Sequence, residues 1–279
     1  MIKKIVVSTL LAAPPLFAGS MFLTATQHSR HYDYKLADEA LVIIPVANQE
    51  FADAAATLYL QPSGFHLLPD FSNVRTLDMP EVVQGGTLDD AVSQGQQQLV
   101  STIETDYTAG DFSAANPLYV FGYSQSDVVM GDAEQQLAAD NIPTKALDFV
   151  MVGDSASAEG GFLNSYIDSF PTWLQPWVTQ AFDAFGAADV LGATTPDNLF
   201  PTQVYSLSGD GWSIYDNGLN DGGMYSDHLE YLGLTPEEIA SAGKPLVDGM
   251  TEYFTIQDSM VNSLEALWTQ LQIADSVLF

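Results

Sequence analysis

The sequence predicts a single α/β domain, built on a central, mostly parallel sheet with helices on both faces. Three observations predict it. Apolar runs of strand length recur without the polar alternation of a half-exposed strand. Segments with apolar residues at helical spacing lie between those runs, and a chain of 279 residues is long enough for one large core. Strands that alternate with helices pair as parallel neighbours, which sends the helices to the two faces of the sheet.

The elements follow in order. ALVIIPV (Ala40 to Val46) is the first strand, an unbroken apolar run. FADAAATLYL, from Phe51, reads as a helix, and Gln61 to Gly86 as a long loop rich in turn residues. Leu88, Ala91, Val92, Gly95, Leu99, Val100 and Ile103 then share one helical face. Asp89 and Asp90 occupy the first turn of that helix, where its dipole favours anions. PLYVFG is the second strand, and a helix covers Asp127 to Ala139. ALDFVMVGD (Ala146 to Asp154) is the third strand and VYSLSGD (Val204 to Asp210) the fourth. Residues 36–279 therefore form one domain.

Residues 1–25 read as a targeting segment. MIKK gives a positive start, IVVSTLLAAPPLF an apolar run, and small residues follow where a peptidase can cut. Pro14 and Pro15 disfavour a continuous membrane helix. A cleaved signal peptide and a retained N-terminal anchor both fit, and either makes the protein secreted or bound to the cell envelope.

Charge narrows the partners. The chain has 36 acidic side chains against 7 lysines and arginines, a net charge of -29. Nucleic acid is excluded, because its phosphates are bound by basic clusters that this chain lacks. Anionic lipid surfaces would repel it, so any lipid contact is through apolar groups. There is no cysteine, and the histidines lack ligand spacing, so neither a metal nor another cofactor is expected.

FGYSQSD (Phe121 to Asp127) lies where a parallel strand ends and a helix begins, the place where open α/β sheets bind their ligands. A serine on that turn is exposed, with helix N–H groups beside it for a developing oxyanion. The residues two before and two after must be small; Gly122 meets this fully and Ser126 less well. Ser124 is thus a candidate nucleophile, against the plainer reading of a serine capping a helix. A hydrolase of this kind has the chain order Ser, Asp, His. Of the four histidines, His28 and His31 lie near the N-terminal segment and His66 precedes the serine, which leaves His228. The acid that orients it should end a strand between the two. Asp210, straight after VYSLS, meets that requirement, with Asp154 as competitor, Asp216 and Asp227 as weaker ones, and an Asp-Gly turn as the plainer reading.

These residues, together with LYLQP (Leu58 to Pro62), LDDAVSQGQQQL, VGDSASAEGGFL, GDGW and YSDHLEYLGL, resemble the PE-PPE domain of mycobacterial and related actinobacterial proteins. The resemblance runs from Ala40 to Leu234. It implies the α/β-hydrolase fold of serine hydrolases akin to cutinases, and an esterase or acyl-transfer activity on acyl ester or lipid substrates. Ser124, Asp210 and His228 fall on the family's catalytic triad. The family's glycine-rich turn after the first strand is replaced here by IIPVANQ. Of the oxyanion donors, the Gln125 N–H is one, and Ala47 or Asn48 would have to supply the second. No PE or PPE helical module is legible, so a free-standing catalytic domain is expected. Phe162, Tyr166, Phe170, Trp173, Trp177, Phe182 and Phe185 make residues 160–200 a lid or an acyl-chain pocket, or else ordinary helices over the sheet. Three rivals to the esterase remain: an acyltransferase, an inactive domain that binds lipid or an envelope partner, and a true cutinase, which the missing cysteines and Ser126 disfavour.

Overall fold

β1 (Glu39–Ile44) forms from the first apolar run, and its residues divide between two cores. Leu41 and Ile43 enter the apolar cluster on one face, Ala40 and Val42 the cluster on the other. A strand buried on both sides has no polar position, which is why the run is continuous. The computed structural model describes residues 38–44, 48–80 and 86–275. Residues 1–25, expected from the sequence to be a targeting segment, and Ala47 lie outside them.

α1 (Gln49–Ala55) is capped by the Asn48 side chain, which accepts the Glu50 N–H at 2.8 Å. A π-type turn, Ala56–Leu60, continues it. The segment expected to be loop contains a strand, β2 (Val74–Asp78), paired in parallel with β1 from Ala40↔Val74 to Ile44↔Asp78. It escapes a search for apolar runs because it is an edge strand. Arg75 is its second residue and donates to the Asp106 carboxylate at 2.6 Å. That aspartate belongs to α2 (Leu88–Ala109), which buries Ala91, Val92, Gly95, Leu99, Val100 and Ile103 as the spacing requires.

β3 (Leu118–Tyr123) runs into α3 (Gln125–Ala139) with Ser124 between them. β4 (Leu147–Val152) follows, then α4 (Phe162–Asp168), α5 (Gln175–Asp183) and β5 (Thr202–Leu207). The remaining elements are α6 (Pro236–Ala240), β6 (Leu246–Asp248), β7 (Thr251–Ile256) and α7 (Ser263–Asp275).

The seven strands stand in the order β2-β1-β3-β4-β5-β7-β6, all pairs parallel except β6 with β7. α2 and α3 cover one face, and α1, α6 and α7 the other. This is the α/β-hydrolase fold. β3, β4 and β5 are adjacent in the middle of the sheet, so the loops at their carboxyl ends converge on one place. Among the described residues no helix is long and apolar enough to cross a membrane.

Candidate active site

The turn after β3 is tight because two backbones meet there. A Cβ on Gly122 would lie 2.4 Å from Asp127 Oδ1 and 2.6 Å from Met130 Sδ, so only glycine fits. Ser126 is buried on the far side of the turn. Between them Ser124 takes φ 61 and ψ -119, a region that L-residues rarely adopt. Its N–H donates to the Val152 carbonyl at 3.1 Å and its carbonyl accepts the Asp127 N–H at 3.0 Å. The side chain makes no cap bond to α3, so the helix-cap reading fails and the hydroxyl is available for other work.

The hydroxyl lies against His228. The two are 104 residues apart in the chain, yet His228 Nε2 is 2.7 Å from Ser124 Oγ. His228 Nδ1 is 2.8 Å from Asp210 Oδ2. Asp210 is fully buried, and its other oxygen accepts the Trp212 N–H at 2.9 Å. It therefore turns its own loop, as an Asp-Gly pair commonly does, and faces the imidazole as well. Asp154 goes elsewhere: its carboxylate accepts from Thr195 Oγ1 at 2.7 Å and from the Ala156 N–H at 2.8 Å. Burial pushes it up to about 6 against those two bonds. Asp227 accepts from Ser226, and His66 is exposed on its loop. Gln125 opens α3, where N–H groups have no intrahelical partner, and its side-chain amide donates to the Pro80 carbonyl at 2.9 Å.

A cavity of about 250 Å³ opens on the serine. Leu88, Val92, Val128, Leu163, Val190 and Trp212 supply its apolar wall. Of the 160–200 segment, Leu163 and Val190 reach it, whereas the seven aromatics do not line it. Phe162, Tyr166, Phe170 and Phe182 pack on one another instead, and Trp173, Trp177 and Phe185 are exposed. Asp89 fixes the segment, accepting the N–H groups of Ala188, Asp189 and Val190 at 2.9–3.1 Å.

The family model described as the PE-PPE domain matches residues 66–216, just over half of the chain. The chain belongs to the PE-PPE domain family. An uncharacterized PPE family protein of Mycobacterium tuberculosis, PPE28, is 29% identical over 244 residues, which is 80% of this chain and 33% of that one. Esterase PE16 of the same organism is 29% identical over 169 residues, 56% of this chain and 28% of its own. The PE-PPE chain described here thus spans about a third or less of the curated relatives it matches. Among solved structures, a Pyrobaculum calidifontis esterase has a TM-score of 0.40 at 11% identity, covering 86% of this chain and 78% of that one. At that score the likeness adds nothing to the strand order itself.

Three side chains around the histidine of this PE-PPE domain carry no motif of their own. Tyr123, the last residue of β3, donates its hydroxyl to the His228 carbonyl and accepts from Gln270 Nε2 at 3.1 Å. Gln270, on α7, takes the Leu232 N–H at 2.8 Å. Tyr231 donates to Asp210 Oδ2 at 2.8 Å. Tyr123 lies within FGYSQSD and Tyr231 within YSDHLEYLGL, but neither string shows what its hydroxyl meets. Gly153, at φ 70, makes room for both rings, since a Cβ there would lie 3.0 Å from His228 Cε1 and 3.0 Å from Tyr231 Cε2.

Proposed function

We propose that this PE-PPE domain is a serine carboxylic ester hydrolase acting through Ser124, His228 and Asp210. The observation that carries the proposal is the unbroken chain of hydrogen bonds, 2.7 Å from Ser124 Oγ to His228 Nε2 and 2.8 Å from His228 Nδ1 to Asp210 Oδ2. His228 takes the hydroxyl proton as Ser124 attacks the ester carbonyl, and Asp210 holds the imidazole in the tautomer that can receive it. The proton then passes to the leaving alcohol, and an acyl-enzyme remains until water or another alcohol removes the acyl group. The Gln125 N–H, at the start of α3, faces the developing oxyanion, with Ala47 as the proposed second donor. The apolar cavity beside Ser124 suits the hydrocarbon part of an acyl ester. The name of the relative Esterase PE16 supports the same chemistry. An inactive lipid-binding domain would have no need of the three polar groups in register. Export directed by residues 1–25 belongs to the same proposal.

Ser124→Ala tests it. Hydrolysis of short- and medium-chain nitrophenyl esters should fall to the residue that binding and oxyanion contacts alone sustain, roughly a thousandfold to ten-thousandfold over water. The melting transition should be kept, because alanine replaces only the hydroxyl. Turnover at the wild-type rate in the purified variant refutes the proposal.

A further inference from the structure

We propose that Tyr231 is a positioning residue for the base: its hydroxyl bond to Asp210 fixes the carboxylate that orients His228 and shares its charge. The proposal rests on the reading of Ser124, His228 and Asp210 given above. It follows from a count of protons. A phenol has one proton to give, and two acceptors lie within reach of Tyr231, Asp210 Oδ2 at 2.8 Å and Ser213 Oγ at 3.1 Å. The carboxylate is nearer and charged, so it receives the proton. The phenol oxygen accepts in turn from the Leu207 N–H at 2.9 Å and from the Ser213 hydroxyl. Every place on that oxygen is then filled, and its orientation is single-valued.

Asp210 accepts from three donors. Oδ1 takes the Trp212 N–H, and Oδ2 takes His228 and Tyr231. Asp210, Ser213 and Tyr231 are all 0% exposed, so no solvent replaces a lost donor, and a buried carboxylate is tolerated only when its lone pairs are met. Burial first, and the Asp210 charge next, hold the Tyr231 phenol well above the usual tyrosine range, which favours the protonated form that donates. The backbone of Tyr231 is anchored independently: its carbonyl accepts from Tyr59 OH at 2.7 Å. Among the described residues, the titratable groups facing the imidazole are Asp210 from the loop after β5, Tyr231 from its own segment and Tyr123 from β3.

Tyr231→Phe keeps the ring and deletes the hydroxyl. A hydrogen bond to a charged group is at stake, so kcat should drop about tenfold while KM changes little. The acid limb of kcat/KM should move toward higher pH, because a carboxylate that no longer shares its charge with a phenol holds the imidazolium more strongly. Tyr59→Phe is the control. It removes a buried hydroxyl that ties the same residue through its carbonyl, so it should lower the melting temperature without moving the acid limb. If Tyr231→Phe behaves like Tyr59→Phe, or like wild type, the positioning role is wrong. Should wild type hydrolyse no ester, the proposed function fails by itself. The His228 ring-proton titration, followed by NMR in wild type and Tyr231→Phe, then decides, with an upward move expected and an unmoved titration overturning the inference. Should Tyr231→Phe not fold, 3-fluorotyrosine at position 231 keeps the hydroxyl as a stronger donor. It should move the limb to lower pH, and an unmoved limb would overturn the inference equally.

Discussion

Ser124 holds a backbone conformation that costs a residue with a side chain about 1–3 kcal/mol, and the surrounding bonds fix it there. The Val152 carbonyl takes its N–H, α3 starts at the next residue, and Gly122 lets the two backbones close to the distance the turn needs. Strain of this kind lifts the hydroxyl out of the helix-capping position and toward the imidazole. The two acids at neighbouring strand ends make a test at the same scale. Asp210 reaches His228, whereas Asp154 is committed to Thr195 and the Ala156 N–H. Asp210→Asn should therefore lose on the order of ten-thousandfold in kcat, since the amide supports the wrong tautomer. Asp154→Asn should lose far less, and its effect should fall on the melting temperature. Steady-state kinetics of both variants on one nitrophenyl ester checks the ranking; the reverse order would move the acid to the end of β4.

α7 packs on the histidine segment, and its Gln270 bonds the Leu232 N–H with its oxygen and Tyr123 OH with its amide. Tyr123 in turn holds the His228 carbonyl. Gln270→Ala should cost about 1–3 kcal/mol in chemical denaturation, because the Leu232 N–H is left buried and unpaired. It should also lower kcat while leaving Ser124 chemically competent, which an active-site phosphonate label would register as slowed labelling rather than none. A Gln270→Ala protein with unchanged stability and rate would remove α7 from the account. The elements that position the site differ in how legible they were. β1, β3, β4 and β5 are central and buried on both faces, so their apolar runs stand out, and the strand–Ser124–helix turn followed from two of them. β2 was hidden because an edge strand with Arg75 needs no apolar run, and β6, whose three residues are all exposed, was hidden for a similar reason. Elimination among four histidines reached His228, and a strand end reached Asp210. Tyr123 and Gln270 act across 147 residues, a relation that no local spacing records. The aromatics of 160–200 left a cavity wall and ordinary helices over the sheet both open, because aromatic content does not reveal which ring faces which side.

For the whole molecule, the buried carboxyls set how stability depends on pH. Burial pushes Asp148 and Asp154 up to about 6. It also pushes Glu230 up to about 7, with the Asp227 charge adding to it. Asp127 and Glu134 are raised well above the carboxylate range, by burial first and by Asp154 next. A folded-state value above the unfolded one, near about 4, means that the folded protein binds more protons between the two, so stability falls as pH rises through that window. The net charge of -29 acts in the same direction through self-repulsion. Melting temperatures measured from pH 4.5 to pH 7.5 should decline by several degrees toward the neutral end; a rise would contradict these assignments. The proposed base works in the opposite sense, since protonated His228 cannot accept the serine proton, so on that proposal the conditions that best preserve the protein are those in which it is idle. The bond between Tyr123 and Gln270 also has a meaning in time. Chains fold from the N-terminal side as they are made, and β3, Ser124 and α3 are complete more than a hundred residues before α7 is synthesised. A growing chain thus presents its serine without the helix that will clasp the histidine segment, and the histidine gains that clasp only after α7 has been made.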